Sequence, residues 1–114
     1  MRTPTLLVSA LLALVALSGC GTSELHEVRI LTPNGVTSSV AVFLRGQDVP
    51  RSFEVVALLQ GTGHGTEAKV ELVIEKLKNR AKSLGCDLLT DVHFKEGMDF
   101  VDVHSYCARW QTGM

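Results

Sequence analysis

The sequence predicts an α+β domain: one helix packed on a small, mostly antiparallel sheet, in the order β-β-β-α-β-β. Three observations predict it. Residues 67–84 place Val70, Val73, Ile74, Leu77, Ala81 and Leu84 at 3-and-4 spacing, the apolar stripe of an amphipathic helix. Cys86 to Phe94 and Phe100 to Trp110 alternate apolar and polar residues and are joined by a short turn containing Gly97, the pattern of a hairpin. Ahead of the helix, runs rich in Val, Leu and Phe are bounded by Pro, Asn, Gly and Asp and read as three more strands. A sheet with a single helix buries one of its faces beneath that helix.

The chain opens with a leader. Met1 to Thr5 carries one charge, Arg2, and Leu6 to Leu17 is apolar except for Ser9. A run of about a dozen apolar residues has the length of a signal-peptide h-region. It falls short of the roughly 20 residues that span a bilayer as a helix. Leu17-Ser18-Gly19-Cys20 follows. This resembles the lipobox of bacterial lipoproteins, which implies acylation of the Cys20 thiol and removal of residues 1–19. The reaction needs a thiol as the lipid nucleophile and small side chains in the peptidase site. No cofactor is expected beyond this covalent lipid. Several acyl chains anchor stably, since each buried methylene contributes about 0.8 kcal/mol and one chain alone is marginal. Gly21 stands where an Asp would favour inner-membrane retention in enteric bacteria. The location implied is therefore the outer membrane, facing the periplasm.

Residues 20–27 are polar and read as a lipidated tether, and 28–110 as a single domain with a tail at 111–114. Ninety-five residues after the leader, about one domain's worth, leave no room for two. The net charge of −1 and the 5% aromatic content supply neither a basic patch nor stacking platforms, which argues against nucleic acid.

Val28 to Leu31 is the first strand candidate, ended by Thr32-Pro33-Asn34-Gly35, since Asn-Gly tolerates positive φ. Val40 to Leu44 is the second, and a loose turn would let the two pair as a hairpin. Phe53 to Gln60 is apolar on both faces and reads as a central strand covered on both sides. Gly61 to Thr66 reads as a mobile glycine-rich loop. It lacks the Lys-Ser/Thr ending that would make a phosphate cradle. Thr66 is the expected N-cap, Glu67 to Leu84 the helix and Gly85 its αL cap. Acidic residues early and basic residues late in the helix suit its dipole.

Two cysteines remain once Cys20 carries lipid, an even pair in an oxidising compartment. If Val92 pairs with Val101, Cys86 falls opposite Cys107 and a bridge is expected. A shifted register leaves them diagonal, and the alternative is two buried thiols. Across the same hairpin His93 can meet His104, with Asp91 or Asp102 joining them as a weak transition-metal site. The spacing of structural zinc patterns is missing. Ser105 and Cys107 lie on the strand face opposite His104, and no nucleophile elbow is present, so no catalytic residue is assigned.

Phe53-Glu54-Val55-Val56-Ala57-Leu58-Leu59, the helix ending Leu77-Lys78-Asn79-Arg80-Ala81-Lys82-Ser83-Leu84-Gly85-Cys86-Asp87-Leu88-Leu89, and Tyr106-Cys107-Ala108-Arg109-Trp110 are similar to the YbjQ-like superfamily. They also resemble the envelope lipoproteins that act as outer-membrane sensors of the Rcs stress phosphorelay. The resemblance covers about half the chain, Phe53 to Trp110. Cys86 stands where the family usually has Ala, and the sensors' long proline-rich N-terminal segment is missing. What it implies is a non-enzymatic envelope protein that binds other envelope proteins in stress sensing or maintenance. Self-association is compatible with it. The alternative is a small-ligand or transition-metal-binding envelope lipoprotein using His93 and His104.

Overall fold

A computed structural model describes residues 21–33 and 35–112. Leu17, Ser18, Gly19 and Cys20 lie outside the described residues, as do the rest of the leader, Asn34 and residues 113–114. Among the described residues, five strands and one helix follow in the order β1 (Gly21–Arg29), β2 (Ala41–Leu44), β3 (Phe53–Gly65), α1 (Val70–Ser83), β4 (Leu88–Glu96), β5 (Phe100–Trp110). This is the α+β order expected. The strands form one sheet, β1-β3-β5-β4-β2. Every neighbouring pair is antiparallel except β2 with β4.

The residues expected as a tether are instead an edge strand. β1 pairs along its whole length with β3, from Gly21 opposite Gly65 to Arg29 opposite Ala57. Its polar composition reflects its place: an edge strand on a sheet with one wet face buries little. β1 and β2 therefore do not form a hairpin. β1 finds nine partners along β3, and β2 joins the opposite edge beside β4. Ile30 and Leu31, expected in the first strand, both donate their N–H to the Val56 carbonyl at the strand's end.

The glycine-rich loop is also strand. β3 continues through Gly61 and Gly63 to Gly65 because α1 and the turn before it lie directly on that stretch. A Cβ on Gly61 would come 2.7 Å from Val73 Cγ1, and one on Gly63 would overlap the Glu67 carbonyl. The turn back onto the sheet uses residues 66–69, with Glu67 N–H bonded to the His64 carbonyl and Ala68 N–H to that of Gly65. The helix consequently starts at Val70, with Lys69 as N-cap and no side-chain cap, rather than at Thr66.

The helix end follows the expectation. Gly85 has φ 75°, its N–H bonds the Lys82 carbonyl, and Cys86 N–H bonds that of Ala81. Those two bonds define a Schellman motif. It delivers Cys86 to the sheet, where Asp87 N–H bonds the Ala108 carbonyl. Cys86 and Cys107 form a disulfide with Cα atoms 5.9 Å apart.

The hairpin register is not the one expected. Glu96, not Val92, faces Val101, and Leu89 faces Cys107. Cys86 therefore reaches Cys107 from the turn before β4, diagonally. A β-bulge between Thr90 and His93 breaks the alternation, with Asp91 at φ 54°. Leu89 and Val92 thus both join the core, whereas Leu88, expected on one face with Cys86, Thr90, Val92 and Phe94, is fully buried beside Ala108 and lies outside that cluster.

The core lies between α1 and one sheet face. Val73, Leu77, Ala81 and Leu84 meet Val56, Leu59, Leu89, Val92, Val101, Val103 and the disulfide, all at most 3% exposed. β3 lies between β1 and β5, and the helix packs on only one of its faces.

Candidate functional site

Among the described residues, no helix lies over the other sheet face. Cross-strand register lines up its side chains in rows. One row runs His26, Gln60, His104, His93 across β1, β3, β5 and β4. The row beside it runs Val28, Leu58, Tyr106, exposed by 61%, 37% and 40%. On the far side of the histidine row lie Glu24, Thr62, Asp102 and Lys95. Two depressions of about 210 Å³ each open here. One is lined by Arg45, Asp91, His93, His104 and Tyr106 among others, and the second by His26, Val28, Leu58 and Gln60.

The expected meeting of His93 and His104 occurs. Their rings stack 5.3 Å apart at an interplanar angle of 11°. Each ring already has a partner. His93 Nδ1–H donates to the Asp91 carbonyl at 2.9 Å, and His104 Nε2–H to Asp102 Oδ2 at 2.9 Å. The donor role follows because both partners are acceptors only. Asp102 Oδ1 accepts from Gln60 Nε2 at 2.9 Å and from Thr62 Oγ1 at 3.1 Å. Burial, the largest single influence, pushes the Asp102 carboxyl up. The bonds from Gln60, His104 and Thr62 together outweigh it and hold the carboxyl below its ordinary value. Asp102 is thereby a charged pivot joining β3 and β5.

Asp91 sits on the bulge in the left-handed region, which Asp tolerates better than most residues. Arg45, just after β2, grips it with a fork: Nε to Oδ1 at 2.9 Å and Nη2 to Oδ2 at 3.2 Å. That pairing lowers the Asp91 pKa and raises that of Arg45. The Arg45 N–H also bonds the Val92 carbonyl, so the bulge is held from both sides.

Other candidates fall elsewhere. His64 sits at the sheet end opposite Phe100, and His26 Nε2 lies 3.4 Å from Glu24 Oε2. Among the described residues, no group of three or more His, Cys, Asp or Glu is arranged to hold a metal ion. Parallel stacked imidazoles direct their nitrogens outward in their own planes, so two of them do not by themselves enclose an ion. Ser105 points to the core side and donates to main-chain carbonyls, as the strand parity requires. Cys107 is bridged and offers no thiolate.

Sequence reasoning did not single out Leu58, Val28, Tyr106, Gln60 or Arg45. The parity of β3 and β5 marks Leu58, Gln60, His104 and Tyr106 as one face. Val28 and Arg45 reach it only because β1 and β2 flank the sheet on opposite edges. Among the described residues no helix is long and apolar enough to cross a membrane. No known protein family, curated protein or solved structure matches the chain.

Proposed function

We propose that this chain is a lipid-anchored envelope protein, non-enzymatic, whose uncovered sheet face binds another envelope protein in stress sensing or maintenance. The observation that carries the binding reading is the row Val28, Leu58, Tyr106 lying beside the histidine row on a face without a covering helix. Half-exposed apolar and aromatic side chains rimmed by polar groups are the composition of a protein-binding surface. The strand ladder beneath holds them in place, so little order has to be gained on binding. The anchor and the location rest on the Leu17-Ser18-Gly19-Cys20 motif.

A photo-crosslinking residue at Tyr106 in intact cells tests this. One discrete adduct is expected at 106 and none at Glu75 on the outer helix surface. The adduct should disappear in Leu58→Asp. Equal labelling at 106 and 75, or an adduct indifferent to Leu58→Asp, would rule the face out. The ligand or metal alternative draws on the stacked His93 and His104. It requires a rise in melting temperature with Zn²⁺ or Cu²⁺ that His93→Ala with His104→Ala removes.

A further inference from the structure

We propose that the β4–β5 hairpin tip, with Met98 and Phe100, docks into the lipid bilayer beside the acylated Cys20, so that the sheet stands end-on to the membrane. The proposal rests on the lipid-anchor reading and adds an orientation to it.

The first observation is that there is no slack between anchor and domain. β1 begins at Gly21 and is already paired there with Gly65. Cys20 is the next residue back along the chain, and adjacent Cα atoms are about 3.8 Å apart. The acyl chains therefore emerge at the sheet end that carries Gly21 and Gly65. A flexible tether would let the domain tumble freely above the lipid; a paired strand does not.

The second observation is what else occupies that end. Gly65 N–H donates to the Asp99 carbonyl at 3.2 Å, and His64 faces Phe100 in the ladder. The hairpin tip thus projects past the same edge as Gly21. Strands lie about 4.8 Å apart, so β5 is roughly 10 Å from β1 and β4 roughly 14 Å. Met98 stands at the turn between Gly97 and Asp99 and is fully exposed, and Phe94 and Phe100 on the flanking strands are exposed by 45% and 40%. The Phe100 ring lies over Gly97, where a Cβ would collide with it, so the glycine seats the ring on the turn.

Lipid is the occupant this chemistry fits. Lys95, Glu96 and Asp99 give the tip a formal charge of −1, so attraction to anionic headgroups is not the driving force. Apolar burial at the acyl boundary is, and the anchor has already brought the tip there. Ile30 and Val36 are exposed as well, but Ile30 follows the other end of β1. Nine strand residues put it roughly 30 Å away.

The test uses the full chain purified with its lipid, in vesicles of phosphatidylethanolamine and phosphatidylglycerol containing lipid brominated on its tails. Glu96→Cys and Gln111→Cys each supply one free thiol for an environment-sensitive fluorophore, since Cys86 and Cys107 are bridged. Gln111 follows β5, about 35 Å from the tip. The label at 96 should lose more than half its emission to bromine and the label at 111 almost none. Adding Met98→Asp should restore at least half of the loss at 96. Acylated protein that floats with the vesicles, yet shows equal emission at 96 and 111, overturns the docking and leaves the anchor standing. So does quenching at 96 that Met98→Asp leaves unchanged. An intact mass without acyl chains on Cys20 instead removes the anchor reading, and the orientation with it.

Discussion

Leu58 and Leu59 are neighbours on β3, yet one is 37% exposed and the other 3%. They stand for the two faces of the sheet. The face under α1 is closed by Leu77, Ala81, the disulfide and glycines that admit helix side chains and the turn before the helix. The face opposite carries imidazoles, amide, carboxylate and half-exposed apolar side chains on the same strands. The contrast teaches a division of labour. Stability is concentrated on the covered face, which leaves the open face able to change its chemistry at small cost to the fold.

Truncating one leucine on each face tests that contrast most strongly. Leu77 is completely buried, and Leu77→Ala should cost about 2–5 kcal/mol in urea unfolding. Leu58→Ala should cost about 1 kcal/mol or less, because much of that side chain is already in water. A large loss at Leu58 in dilute protein would mean that the open face is covered in solution, and the contrast would break.

The bridge comes next in size. Cys86→Ala with Cys107→Ala opens a loop spanning a separation of 21 residues and should lower stability by about 3 kcal/mol. Partner crosslinking from Tyr106 should persist at temperatures where the variant remains folded, since neither sulfur reaches the open face. Loss of both together would show that the two faces are coupled.

The smallest effect is acid sensitivity, and it samples both faces. Glu27 of β1 points to the helix side, where Arg80 donates to it. That bond lowers its pKa below the ordinary 4.5, burial opposes, and Arg29 adds to the lowering. Asp102 on the open face is held below 3.8 by its three donors. Both carboxyls are more acidic folded than unfolded. Their stabilisation is therefore present above the unfolded values and lost as pH falls through the folded ones. Stability should decline below about pH 4.5, Glu27 being felt first. Glu27→Gln should remove about 0.5–1 kcal/mol at neutral pH and flatten the acid limb, as expected for a partly exposed pair. Asp102→Asn should flatten only the lower part of that limb.

Much of the fold is legible because its signals are local. The helix stripe, the Gly85 stop and the parity of β5 each depend on residues within a few positions of one another. His93 and His104 meet as expected for the same reason, being close on one hairpin. The hairpin register was not legible, because the bulge at Asp91 is held by Arg45, just after β2 and 46 residues away. Nor was the glycine stretch. Alternating glycines read as a loop until the helix that lies on them is in place. The tether misled for a related reason: Gly21, Ser23 and Glu24 carry no strand preference of their own.

The sequence by itself determined the α+β order, the helix stripe and its stop, the presence of two cysteines beyond Cys20 and the motif at Cys20. All are read from spacing along the chain. Tertiary structure alone decided that residues 21–29 are a strand, that β2 lies parallel to β4, and that the helix among the described residues lies over one sheet face only. The physical reason is that strand partners are chosen by main-chain hydrogen bonds, which carry no side-chain signature. Which face is buried depends on where a single helix comes to rest.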